Sequence, residues 1–121
     1  MTRQTIAFAS FVDVLQERAR SSPALEVYRF MQSGERPPAV MTCAELDAQA
    51  RRIARALLGR AQPGDRALLL YPPGLDYVAG FFGCLYAGVV AVPAYPLEPA
   101  QLSRTLPRLL GIVPRSYLTK R

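Results

Sequence analysis

Residues 64–96 carry few charged groups, and the pattern of their apolar residues changes twice along this stretch. In Arg66–Tyr71 the apolar centre does not alternate with polar residues, which is typical of a strand buried on both faces of a parallel sheet. Leu75–Ala87 combines aromatic and small residues over the length of a helix, whereas Val89–Ala94 is rich in β-branched residues and predicts a second strand. We therefore predict a right-handed βαβ unit, in which the helix connects two parallel strands.

The residues before this unit predict a helix followed by a β-hairpin. Ser10 and Asp13 resemble a capping box, and apolar residues follow them at helical spacing, so a helix should begin here and end before Ser22-Pro23. Leu25–Met31 alternates roughly as a strand does. Turn residues follow it, and Ala39–Thr42 can form a short returning strand.

A second helix is predicted between the hairpin and the βαβ unit. Thr42 and Glu45 form a T-x-x-E capping box at its start, and Gly59 lies where it should end. Five apolar residues at helical spacing are expected to form its buried stripe: Leu46, Ala50, Ile53, Ala54 and Leu57.

Three glycines lie in or just after the third predicted helix. Gly80, Gly83 and Gly88 are expected to let the helix and the sheet approach each other closely rather than to bind phosphate, and Gly88 also falls at the C′ position, where the helix would end. Beyond the βαβ unit, apolar residues recur at helical spacing, with Pro107 tolerable only near a helix start or at a kink. The residues of this last pattern are Leu102, Leu106, Leu109 and Val113.

The net charge of the chain is +6, and arginine supplies nearly all of the basic groups. The arginines are scattered. The densest group, Arg51, Arg52 and Arg55, lies on one predicted helix with Glu45 and Asp47 nearby, which is typical of a solvated helix face. No basic–aromatic pattern or recognition motif accompanies them, so we predict that the protein does not bind nucleic acid.

The two cysteines, Cys43 and Cys84, lie far apart and match no metal-ligand spacing. Cys84 lies within an apolar run and is expected to be a small buried residue. The N-terminal sequence has no apolar segment long enough for a signal peptide. We therefore expect a cytoplasmic protein in a reducing compartment.

A membrane span is an alternative reading of residues 77–97, which contain no charged group and are long enough to cross a bilayer. The residue types nevertheless change from aromatic and small to β-branched within this range. Glycines and prolines also interrupt it, at Gly80, Gly83, Gly88, Pro93 and Pro96. We expect no membrane span, and a small single-span membrane protein stays open as an alternative.

The side chains needed for catalysis are scarce. The sequence contains no histidine, which excludes Ser-His-Asp triads, Cys-His nucleophiles and the commonest zinc sites. The standard glycine-rich phosphate-binding motifs and the G-x-S-x-G nucleophile motif do not occur either. The six tyrosines are dispersed, and none has a visible partner.

The turn at Tyr71–Gly74 follows the first strand of the βαβ unit, where α/β proteins usually bind ligands. Its two prolines, however, remove two backbone N–H groups that could bind an anion. Asp65 and Asp76 flank the strand and the turn, and we expect them to act as a turn residue and a first-turn helix acid. We therefore assign no catalytic, cofactor-binding or metal-binding residue.

Taken in order, these segments resemble the amino-terminal end of an adenylate-forming ligase, and most closely the fatty acyl-AMP ligase branch. The G-D-R-x-x-x-L and A-G-x-V-x-V-P strands are shared with related acyl-CoA ligases, whereas the Y-P-P-G turn, the F-F-G-C-L-Y-A-G helix and the A-Y-P exit resemble the acyl-AMP branch. The resemblance covers about residues 10–113 and is strongest from Gly64 to Pro96. It also implies a further strand that would begin at Ser116–Thr119.

The resemblance implies an α/β fold, namely an incomplete amino-terminal subdomain with a β-hairpin and a βαβ unit packed by helices. Residues 1–121 would then form one partial domain, the start of the large AMP-binding domain of such a ligase. Residues 114–121 form a tail for which we predict no firm structure.

Members of this family use ATP and Mg²⁺ to convert a fatty acid into an acyl-adenylate. They then load the acyl group onto an acyl carrier protein for lipid, polyketide or lipopeptide biosynthesis. The family's phosphate-, adenine- and Mg²⁺-binding motifs lie downstream of the matched region, so no functional residue carries over onto this sequence. We therefore expect a truncated ligase segment that is inactive alone and whose partner is the missing remainder of the enzyme.

An interaction module is the second functional hypothesis. The apolar strands of the βαβ unit are suited to neighbours on both sides, and the chain supplies few further strands to cover them. Such a module would bind a separately encoded remainder of the ligase.

Overall fold

The computed structural model describes residues 9–94 and the backbone of residues 116–119. An initial helix and a two-stranded hairpin precede a long helix, and parallel strands follow. In chain order the elements are α1 (Phe11–Ser21), β1 (Glu26–Phe30), β2 (Ala39–Thr42), α2 (Cys43–Leu58), β3 (Arg66–Leu69), α3 (Leu75–Ala87), β4 (Val90–Pro93) and β5 (Ser116–Thr119). The helical pattern predicted over residues 102–113 lies outside the described residues.

The centre of the fold is a three-stranded parallel sheet in the order β4-β3-β5. Arg66 at the start of β3 lies opposite Val90 in β4 and Ser116 in β5. Because α3 connects β3 to β4, the parallel strand–helix–strand arrangement predicted from the sequence is confirmed. β5 lies within residues 114–121, for which the sequence predicts no firm structure, at the place where the resemblance would begin another strand. β3 ends at Leu69, two residues before the predicted end, ahead of the turn that contains both prolines.

β1 and β2 form the predicted antiparallel hairpin, in which Phe30 lies opposite Ala39 and Tyr28 lies opposite Met41. The pairing register shifts between Glu26 and Tyr28. All five residues of β1 are exposed, so the roughly alternating sequence does not correspond to a fully buried face.

Side-chain hydrogen bonds cap the N-termini of α1 and α2, as predicted. The Ser10 hydroxyl accepts the N–H of Asp13 at 3.3 Å, and Asp13 Oδ2 accepts the N–H of Ala9 at 3.2 Å. At α2 the Thr42 hydroxyl accepts the N–H of Glu45 at 3.2 Å, while Glu45 Oε1 accepts the N–H of Thr42 at 3.0 Å. Two hydrogen bonds with Thr42 lower the pKa of Glu45, because they favour the charged carboxylate. The bond with the backbone N–H has the larger effect and the bond with the hydroxyl the smaller one.

Two groups of buried side chains form the core. The hairpin-side cluster consists of Leu15, Met41, Leu46 and Ala79. The sheet-side cluster consists of Ala54, Leu57, Ala61, Ala67, Leu69, Tyr71, Cys84, Ala87 and Val89. Ile53 and Tyr86 are partly buried and pack against both clusters. The predicted stripe of α2 is confirmed, with Ile53 partly buried and its other four members buried.

α3 approaches its neighbours closely at two glycines. The contact at Gly80, beside Tyr71 after β3, agrees with the predicted approach of helix and sheet, whereas Gly83 lies against Ile53 of helix α2, which was not predicted. A Cβ atom at Gly80 would lie 2.6 Å from Cε2 of Tyr71, and one at Gly83 would overlap Cβ and Cγ2 of Ile53. Hydrogen is therefore the side chain that fits at both positions without displacement of a neighbour. Gly88 ends the helix with a φ of 71°, a left-handed conformation that favours glycine.

A side-chain hydrogen bond joins α2 to α3. The Tyr86 hydroxyl donates to Asp47 Oδ1 at 2.6 Å, and Asp47 Oδ2 accepts from Arg51 Nε at 2.9 Å. The Arg51 guanidinium also lies 5.9 Å from the centre of the Tyr86 ring. The prediction that no tyrosine has a partner is wrong for Tyr86, because folding brings together two residues 39 positions apart. Arg52 and Arg55 are exposed, as expected for a solvated helix face.

No helix in the described part of the chain is long and apolar enough to cross a membrane. α3 ends at Ala87, and residues 90–93 form β4 rather than continuing the helix. The alternative reading, one membrane-spanning helix over residues 77–97, is therefore wrong, because residues 90–93 form a strand.

The close contact at Gly83 predicts a large effect of adding one methyl group. Gly83→Ala should lower the free energy of unfolding by about 1–3 kcal/mol, because the added Cβ overlaps Ile53 in a packed core. Gly59→Ala is the matched control, since Gly59 has a φ of −74° and an added Cβ would meet no described atom closer than 3.5 Å. It should be neutral or stabilise by roughly 0.4–1 kcal/mol. Urea unfolding followed by circular dichroism measures both, and equal effects would contradict the close contact.

The bond between Tyr86 and Asp47 predicts that a single hydroxyl contributes to stability. Tyr86→Phe should lower the free energy of unfolding by about 1–3 kcal/mol, because Asp47 is largely shielded and loses a partner for its charge. Arg51→Ala should cost less than about 1 kcal/mol, since the Arg51 side chain is 57% exposed. Urea unfolding of the two variants tests the order, and a larger loss for Arg51→Ala would overturn it.

Candidate functional site at the carboxyl end of the parallel sheet

The three parallel strands end at the same edge of the sheet. Leu69 at the end of β3 lies opposite Pro93 in β4 and Thr119 in β5. In open α/β sheets ligands bind outside this carboxyl edge, so the loops that leave it form the candidate site.

The loop that leaves β3 is the described part of this edge. Tyr71 is buried, and its ring lies against Gly80 of α3. Pro72 and Pro73 are exposed, and Gly74 precedes α3 with a φ of 154°. Because proline has no N–H group, the exposed part of the turn presents no backbone donor at these two positions. The turn packs against α3 through Tyr71, and its two exposed prolines offer no N–H group to a phosphate.

The two aspartates that flank β3 lie at opposite ends of the strand. Asp65 precedes β3, where its Oδ2 accepts the N–H of Gln62 at 2.9 Å and its carbonyl oxygen accepts the N–H of Val90 at 2.7 Å. Asp76 lies in the first turn of α3, beyond the carboxyl end of β3. Both predicted roles are confirmed. The separation along the strand also prevents the two carboxylates from acting as a pair.

Cys43 and Cys84 are both buried and carry free thiols. Burial raises the pKa of the Cys84 thiol to about 11, because desolvation disfavours the thiolate. Within the described residues no group of three or more histidine, cysteine or acidic side chains could hold a metal ion. The buried Cys84 is therefore a packing residue, as predicted, and a poor nucleophile.

A shallow, open depression lies beside the start of α1. Its lining is mostly apolar and contains no ionisable side chain: Ala9, Ser10, Phe11, Val12, Val14 and Leu85. The hydroxyl of Ser10 is already used to cap α1. The depression therefore lacks the convergent polar groups that fix a small ligand.

The buried thiol predicts a loss of stability in alkaline solution. The pKa of Cys84 rises from 9.0 to about 11 on folding, so its contribution to stability is fully present below pH 9 and is lost as the pH rises to 11. Relative to Cys84→Ala, the free energy of unfolding of the native chain should fall by about 2–3 kcal/mol more between these pH values. Urea unfolding at pH 8 and pH 11 measures this difference.

Cys43→Ala is the control for that experiment, because it keeps the Cys84 thiol in place. It should show the same alkaline loss as the native chain. An identical pH dependence in the native chain and Cys84→Ala would contradict the expected role of the thiol.

Comparison with solved structures shows that a similar fold occurs as one part of longer proteins. The crystal structure of a fatty acyl-adenylate ligase from L. pneumophila, in complex with acyl adenylate and pyrophosphate, matches 90% of this chain with a TM-score of 0.79 and 38% identity. The match covers 19% of that chain.

Two curated relatives show the same relation in sequence. The medium-chain-fatty-acid–[acyl-carrier-protein] ligase JamA of Moorena producens is 48% identical over 106 residues, which cover 88% of this chain and 18% of JamA. The human Disco-interacting protein 2 homolog A is 39% identical over 112 residues, which cover 91% of this chain and 7% of that protein. The chain thus spans less than a fifth of the length of these relatives.

A family model described as "AMP-binding enzyme" matches residues 15–106, which include the helices α2 and α3 and the strands β3 and β4. The residues that carry the resemblance seen in the sequence lie largely within this match. The chain therefore belongs to the AMP-binding enzyme family, and it corresponds to the amino-terminal part of its fatty acyl-AMP ligases.

Proposed function

We propose that this chain is the first part of the large domain of a ligase that activates fatty acids with ATP. The observation that supports this proposal most strongly is the match to a fatty acyl-adenylate ligase crystallised with acyl adenylate and pyrophosphate. In the proposed reaction a carboxylate oxygen of the fatty acid attacks the α-phosphorus of ATP. An acyl–phosphate bond forms, the bond to the β-phosphate oxygen breaks, and pyrophosphate leaves.

The proposed role of this segment is to form part of the scaffold. Phosphoryl-transfer chemistry depends on groups that position the phosphates and stabilise their charge. The described residues do not fit a Mg²⁺ site, because Asp65 and Asp76 lie at opposite ends of β3 and the exposed turn contains two prolines. We therefore place the ligands of ATP and Mg²⁺ in the downstream polypeptide, and no step runs through this segment's own side chains.

A second proposed step transfers the acyl group to a carrier protein. The name of the Moorena producens relative, 48% identical over its matched region, states that this enzyme acts on an acyl carrier protein. In this step the phosphopantetheine thiol of the carrier attacks the acyl carbon. A thioester forms, the thiol loses its proton, and AMP leaves.

The proposal predicts activity for the segment in its ligase context and none for the segment alone. The purified 121-residue chain should show no fatty-acid-dependent exchange between ATP and pyrophosphate. A chimera, in which the segment replaces the matched part of the Moorena producens ligase, should catalyse this exchange with a medium-chain fatty acid. The exchange of radiolabelled pyrophosphate into ATP measures both.

The unmodified Moorena producens ligase is the positive control for this experiment. Clear exchange by the pure chain would contradict the proposed scaffold role. A folded chimera without any exchange would contradict the assignment of the segment to a fatty-acid-activating ligase.

A further inference from the structure

No further inference is drawn: the strongest candidate, the apolar depression beside the start of α1 that Phe11 and Leu85 line, exposes 73% of Phe11, and nothing in the described residues shows what covers it.

Discussion

The close approach of α3 to α2 and to the loop after β3 is the constraint on which the described structure depends. Gly80 brings α3 against the ring of Tyr71, and Gly83 brings it against Ile53 of α2. Because a methyl group at either glycine would displace a neighbour, the distance between these elements is set by the backbone of α3 itself. The same helix connects β3 to β4, so its position also determines where the two parallel strands can pair.

This contact joins two clusters that would otherwise be separate. Ile53 and Tyr86 pack against both the hairpin-side and the sheet-side cluster. The hydroxyl of Tyr86 adds a directional bond to Asp47 at the point where the clusters meet. Packing at Gly83 fixes how near the helices lie, and the bond to Asp47 fixes which faces of the helices meet.

The sequence predicts the elements well because their signals are local. The range of α3 follows from the prolines before it and Gly88 after it, and the start of α2 follows from Thr42 and Glu45. The partner of Tyr86 could not be predicted, because its hydrogen bond joins residues far apart in the chain. The exposure of β1 also could not be predicted, since an alternating pattern shows which residues share a face but not what lies opposite that face. For the candidate site, local turn chemistry gave the roles of Asp65 and Asp76 correctly, whereas the loops after β4 lie outside the described residues.

In an α/β domain the strands and the loops have different roles. This difference explains how a segment whose described loop offers few groups for phosphate binding can belong to the AMP-binding enzyme family. Parallel strands supply a rigid edge, and the groups that bind a nucleotide stand on the loops that leave it. Here the loop after β3 uses Tyr71 to hold α3, and Pro72 and Pro73 restrict its backbone. A loop that is rigid and poor in donors can define the wall of a site without binding phosphate. The proposed ligase would thus take the position of its sheet edge from this segment and its phosphate ligands from the loops that follow.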